Sequence, residues 1–200
     1  MSKRGELTLL PSDLTPPPRG QAELVFDHEH TQRVVRERIL RAEVSLDLAT
    51  ADFKAMLVPA SPRDRDAPSI IEHFVRLAQR GVEVRVLHAG VPSVAALREL
   101  KKRLPAAARH RLTLRRCPRL HAKAVVVDAQ WLYLGSANLT GAGLGAKGPT
   151  RRNFEWGVTT TTPALIDAVL SRFNQLWEGQ HCLTCGRRDV CPVPLEEPNL

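Results

Sequence analysis

The sequence predicts an α/β fold, a mixed and largely buried sheet with helices on both faces. Two observations lead there: helix-spaced and strand-spaced apolar segments alternate along the chain, and 200 residues with 43% hydrophobic content can bury one sizeable core. The first helix is expected over 30–42, with Val34, Val35, Ile39 and Leu40 at helical spacing, and a strand over 44–49. A loop carrying Pro59, Pro62 and Pro68 leads to a second helix over 69–79, whose Ile70, Ile71, Phe74, Val75 and Ala78 form one face. Gly81 ends it, and 82–87 alternates as a strand. A third helix follows over 92–103, opened by Pro92, with a strand near 111–115. Next come a strand over 121–128, a hairpin partner over 131–134 and a strand around Glu155. Thr162-Pro163 opens a long helix to Glu178, whose Leu165, Ile166, Val169, Leu170, Phe173, Leu176 and Trp177 make a stripe read as core. Residues 1–20, with Pro11, Pro16, Pro17 and Pro18, read as a mobile arm, 21–179 as the main domain and 180–200 as a Cys-rich appendage.

The chemistry concentrates in one run: His121-Ala-Lys123, then Asp128, then Gly135-Ser136-Ala137-Asn138. Alternation along an apolar strand puts His121, Lys123 and Val125 on one face and Ala122, Ala124 and Val126 on the other. One face is then chemical and the other core. An imidazole is a usable nucleophile near neutral pH, and a lysine two residues along the same face can neutralise the phosphate it attacks. Asp128, at a strand end before a turn, is assigned a structural, site-shaping role, because such an aspartate bonds nearby backbone amides.

His-x-Lys-x4-Asp-x6-Gly-Ser-x-Asn, filled by His121, Lys123, Asp128, Gly135, Ser136 and Asn138, resembles the HKD motif of the phospholipase D superfamily. The helix, Arg80-Gly81-Val82, strand unit resembles the first half of that family's domain, and the likeness covers roughly 22–178. The resemblance implies a phospholipase D-like mixed sheet, a His121 nucleophile, and Lys123 and Asn138 on the non-bridging phosphate oxygens. It also implies that Glu155, on the next strand in Asn153-Phe154-Glu155-Trp156, accepts from the His121 ring and fixes its tautomer. Catalysis would need no metal cofactor. Family members use a second motif to protonate the leaving oxygen, yet no other histidine here begins a His-x-Lys. A homodimer is therefore expected, with two copies of His121 meeting across the two-fold axis.

The net charge of +8 suits a polyanion, in nucleic acid or in lipid headgroups. Part of it is simply solvated helix face, as in 98–103. Arg115, Arg116 and Arg119 before His121, with Lys147, Arg151 and Arg152 after the Gly-rich turn, bracket the motif in sequence and are candidate substrate-binding residues. No stretch approaches a membrane span and the N-terminus lacks the apolar run of a secretory signal, so a cytoplasmic protein without stable membrane insertion is expected.

Cys182-x2-Cys185-Gly186 followed by Cys191 has the spacing of a zinc knuckle, with Cys117 or His181 as the fourth ligand. Such zinc would be structural; reduced thiols or a disulfide are the alternatives. A narrower resemblance, in size, tail and the Gly-Ser-Ala-Asn-Leu-Thr-Gly run, is to the phospholipase D-like component of the bacterial DISARM anti-phage system. It implies helicase and methylase partners and foreign DNA as target. Three readings follow: a metal-independent nuclease acting on DNA through a dimer, a phospholipid hydrolase or transferase, and a DNA-binding defence subunit with little catalysis. Lipid chemistry is disfavoured, because no basic segment with exposed Trp or Phe is evident.

Overall fold

The computed structural model describes residues 22–58 and 67–191. Their strands are β1 (Ala22–Phe26), β2 (Ser45–Thr50), β3 (Glu83–His88), β4 (Leu112–Arg116), β5 (Ala124–Val127), β6 (Trp131–Gly135) and β7 (Trp156–Thr160). They form one sheet in the order β1-β7-β6-β5-β2-β3-β4. β2, β3 and β4 are parallel, and every other neighbouring pair is antiparallel. Parallel neighbours need a long crossover. Helix α1 (Ile70–Gln79) supplies it between β2 and β3, and α2 (Val94–Arg103) between β3 and β4. On the antiparallel side β5 turns directly into β6, with Asp128 and Ala129 both left-handed at φ 54° and 52°, the backbone hand that matches strand twist in a hairpin.

Local signals set the helix ends. Ser69 Oγ accepts the Glu72 N–H at 3.1 Å and opens α1; Ser93 Oγ does the same for Ala96 at 3.3 Å and opens α2. Ile70, Ile71, Phe74, Val75, Leu77 and Ala78 bury the inner face of α1 against Leu46, Leu48, Val84, Val86 and Val125. Helix α3 (Pro163–Trp177) covers the opposite face of the sheet, where Ile166 meets Val126 and Leu132, and Phe173 and Trp177 meet Ala49, Leu87 and Ala124. Helices on both faces of a mixed sheet are thus observed.

Two segments differ from expectation. Residues 30–42 do not form one α-helix: His30–Arg36 winds as a wider π-type turn and Ile39–Arg41 as a tight 3-10 turn. The wide turn places His30, Val34 and Val35 together in the interior. The edge strand β1 carries no sequence signal, because only Val25 of its five residues points into the core and no buried alternation marks it. The arm at 1–20, Pro59, Pro62 and the end of the tail beyond Cys191 lie outside the described residues.

Beneath α3 the sheet carries an ion pair. Arg85 Nε donates to Asp47 Oδ1 at 2.6 Å and Nη1 donates to Asn174 Oδ1 at 3.0 Å, while its guanidinium lies over the Phe173 and Trp177 rings at 5.1 and 5.5 Å. Burial raises the Asp47 carboxyl above its ordinary value, and the hydrogen bond from Arg85 opposes that rise. Asp47 is 4% exposed, so loss of its partner would strand a buried carboxylate. Arg85→Ala is expected to destabilise the fold by about 3–5 kcal/mol in urea denaturation. The double replacement Asp47→Leu with Arg85→Met should lose markedly less; equal losses would remove the ion pair as the cause.

Candidate active site

β5 is buried along its whole length. Val125 and Val127 pack toward α1, and Ala124 and Val126 toward α3. The expectation that one face of this strand carries chemistry is therefore corrected: with helices on both faces, polar groups are displaced past its end. His121 and Lys123 stand in the extended lead-in to β5, His121 exposed and Lys123 half-buried. Lys123 Nζ donates to the His121 carbonyl at 2.9 Å and lies 3.2 and 3.4 Å from ring nitrogens Nδ1 and Nε2. The candidate nucleophile and the candidate phosphate-binding lysine form one unit.

Asn138 joins the same end of the sheet. Ala124 pairs with Ala49, so the residues before Ala124 run alongside the exit of β2. There the Asn138 Oδ1 accepts the N–H groups of Ala51 and Asp52 at 3.1 and 3.0 Å and the Thr50 hydroxyl at 3.3 Å. Three donors on the oxygen fix the amide orientation, which presents its NH2 as the end able to donate to a ligand. The Gly135 N–H donates to the Lys123 carbonyl at 3.2 Å and ties the Gly-Ser turn to the lead-in.

Glu155 is buried, but it does not orient His121. Its Oε2 accepts the Ser136 hydroxyl and its Oε1 accepts Asn153 Nδ2 at 2.9 Å; among the described residues the His121 ring nitrogens have Lys123 beside them and no carboxylate. The cause is register. Gly135 pairs with Gly157, so the residue before β7 faces the turn after β6. Asp27 holds Glu155 there, taking its N–H at 2.9 Å on Oδ1 and donating to its carbonyl at 2.8 Å.

Under this turn lies a floor that motif reading missed. The His30 Nδ1–H donates to the Asp27 carbonyl at 2.9 Å, which leaves Nε2 to accept the Tyr133 hydroxyl at 2.9 Å, and the two rings meet edge-on at 5.4 Å. The Tyr133 ring lies across both glycines of the β6–β7 pair. A Cβ at Gly135 would stand 2.2 Å from the Tyr133 hydroxyl and one at Gly157 would stand 2.3 Å from its ring. The pattern Tyr133-x-Gly135 was the available signal, but its meaning depends on Gly157 across the ladder. Burial pushes the Tyr133 hydroxyl up and the His30 imidazole down, the latter against opposing pulls from Asp27 and Glu155.

The remaining predicted residues divide. Asp128 sits at the far end of β5, where its carboxylate accepts the N–H groups of Glu43, Val44 and Ser45 at 3.1, 2.8 and 2.9 Å; it shapes the entry to β2 and does not reach His121. Arg115 donates to the Trp177 carbonyl at 3.1 Å and lies over the Trp177 ring, and Arg116 donates to the Ala89 carbonyl at 3.1 Å, so both brace the fold. Arg119 is different. It lines an open cavity of about 490 Å³ with His121, Arg172 and His181; Arg172 carries no motif that would mark it, and His181 was marked only as a metal ligand. Lys147, Arg151 and Arg152 lie in the turns that lead to Asn153, and no bond among the described residues links them to His121.

None of Cys117, Cys182, Cys185 and Cys191 is in a disulfide. Among the described residues no three His, Cys, Asp or Glu side chains are gathered tightly enough to form a ready metal site. Arg172 Nη1 donates to His181 Nε2 at 2.7 Å, so His181 could offer a metal its Nδ1.

A family model described as the phospholipase D-like domain of cardiolipin synthase matches residues 35–177. The chain belongs to the phospholipase D-like family. Its fold is similar to that of Nuc from Salmonella typhimurium, a phospholipase D family member, at 21% identity and TM-score 0.57, over 80% of this chain and 95% of that one. NucT from Helicobacter pylori is similar at 16% identity and TM-score 0.57, over 80% and 96% of the two chains. TrmBL2, an archaeal chromatin protein with a novel mode of DNA binding, is similar at 17% identity and TM-score 0.50, over 83% and 55%. Comparison with curated proteins gave no match. Among the described residues no helix is long and apolar enough to cross a membrane.

The floor of this phospholipase D-like site should respond to pH. His30 is held below its ordinary value of 6.5, so on acidification the unfolded chain takes the proton first. Its stabilising contribution is full above that value and is lost as pH falls below it. The thermal midpoint is expected to drop between about pH 7 and about pH 5. In His30→Gln the midpoint should start lower and fall less steeply; an unchanged slope would exclude His30 as the sensor.

Proposed function

We propose that the chain is a phosphodiesterase that cleaves nucleic acid, with DNA as its substrate class, through a phosphohistidine at His121 in a symmetric homodimer. The observation that carries this reading is the joined pair of His121 and Lys123 at the end of the sheet where Asn138 is fixed by its oxygen. His121 attacks phosphorus, the bond from phosphorus to the leaving oxygen breaks, and a second histidine gives that oxygen a proton. Water then attacks the same phosphorus, its proton passes to the second histidine, and the P–N bond breaks. Lys123 and Asn138 offset charge on the non-bridging oxygens. This route needs no metal-activated water.

Of seven histidines only His121 opens a His-x-Lys, so the proton donor is assigned to a second copy of the chain. An exposed apolar surface supports that assembly. Phe26 stands opposite Trp156, and Leu24 and Leu134 both stand opposite Val158, on one face of β1, β7 and β6. Phe154 and Trp156, 91% and 66% exposed, continue it beside Glu155. A contiguous apolar patch of this kind marks an interaction surface. Net charge of +8 and the arginines around the His121 cavity favour a polyanion. TrmBL2 adds an instance of this architecture in a DNA-binding protein. The sequence resemblance to the DISARM component supports a place in anti-phage defence, with other defence proteins as partners.

Phospholipid hydrolysis or transfer is the second reading, and a specific observation favours it. Arg151, Arg152, Phe154 and Trp156 form a basic segment with exposed aromatic side chains, the feature that the sequence did not make evident and whose lack counts against lipid. The family model's own description is of a lipid enzyme.

Incubation of purified protein with single- and double-stranded DNA and with phospholipid vesicles, each with and without chelator, separates the readings. Cleavage of DNA that survives chelator is expected; turnover of lipid alone would overturn the proposal. His121→Ala should lower turnover on the order of 10³-fold or more while DNA binding persists. Lys123→Ala should weaken both binding and its salt dependence. Trp156→Glu should give monomers by light scattering and abolish cleavage. A variant that stays dimeric but leaves vesicles would instead assign the aromatic patch to a lipid surface.

A further inference from the structure

The tail from Gly179 to Cys191 is folded into successive turns, yet none of residues 178–191 is buried. Cys182 N–H donates to the Gly179 carbonyl, Cys185 N–H to that of Cys182, Arg188 N–H to that of Cys185 and Cys191 N–H to that of Arg188, at 2.9–3.2 Å. Leu183 and Val190, its large apolar side chains, point to solvent. Hydrophobic burial therefore does not account for the order of this segment. Small units without a core are held by cross-links or metals.

The four cysteines offer that link. Cys117 lies between β4 and β5, far from the tail in sequence, yet Cys117, Cys182, Cys185 and Cys191 line one small cavity of about 30 Å³. Around them stand Arg116, Arg119, Arg187 and Arg188. Arg119 Nη1 lies 3.5 Å from Cys185 Sγ. The charge balance is informative. Four thiolates around a divalent ion leave a net charge of −2, and arginines with sulfur-directed N–H donors offset it.

We propose that Cys117, Cys182, Cys185 and Cys191 bind one structural zinc ion, which clamps the C-terminal tail to the β4–β5 connection beside His121. All-thiolate donor sets select soft or borderline ions, and a tetrahedral site of four cysteines closes every coordination position, so the ion takes no part in catalysis. Binding draws the four sulfurs, which are not yet gathered at metal-ligand spacing, to about 2.3 Å from the ion. The Cys117 carbonyl accepts the Leu120 N–H at 2.9 Å in the turn that delivers His121. The same clamp thus braces the nucleophile's loop and the tail wall, Gly179 to Cys185, of the His121 cavity.

The test reads metal and not turnover, so it stands apart from the nuclease reading. Full-length protein purified without chelator should contain one zinc per chain by elemental analysis, released when a mercurial titrates the thiols. Cobalt in its place should show the intense thiolate charge-transfer and visible bands of a tetrahedral four-thiolate site. Cys117→Ser and Cys185→Ser should keep the helical signal of the main domain while zinc affinity falls on the order of 100-fold or more. Metal-free protein whose thiols titrate freely, or an intact mass showing disulfides, would overturn the proposal. So would full zinc retention in Cys117→Ser, because the clamp requires that ligand.

Discussion

Burial of β5 on both faces is the constraint on which the site depends. A strand covered by α1 on one side and α3 on the other has no face to spare for polar chemistry, so its reactive residues are carried past its end. Antiparallel pairing with β2 puts that end beside residues 50–52, where backbone donors past the end of the ladder turn to side chains. Those donors hold Asn138. The site is thus assembled from the places where ladders stop, because there the main chain still has hydrogen bonds to give.

The β6–β7 pair performs a second service. Two glycines opposite each other leave room for the Tyr133 ring, and the ring in turn bonds His30 and closes the space under the Gly-Ser turn. Glu155 and Asp27 complete a network in which each carboxylate is satisfied by neighbours other than His121. The turn is tied down without drawing on His121. His121 stays exposed and Lys123 half-buried.

Charge is likewise sorted by position. Arg85, Arg115 and Arg116 spend their donors on Asp47, Asn174 and backbone carbonyls, and two of them stack on the aromatic side chains of α3. The basic composition therefore overstates what is offered to a polyanion. Arg119 and Arg172, at the His121 cavity, are positioned to meet one.

The amino-acid sequence by itself determined the alternating elements and the two-sided core and marked His121, Lys123 and Asn138 as the candidate set, because these are written in short-range periodicity and in one contiguous motif. It also gave Asp128 a structural role, since an aspartate at a strand end bonds the nearest free amides. Tertiary structure alone decided what depends on partners remote in sequence. Glu155 pairs with Ser136 because Gly135 and Gly157 are in register, and β1 exists because β7 presents an edge for it to pair with. Arg115 is a brace because α3 ends above it, and Cys117 faces the tail because the β4–β5 connection passes there. Side chains of the same type differ in role according to which element folds over them, and that is a property of packing, not of spacing.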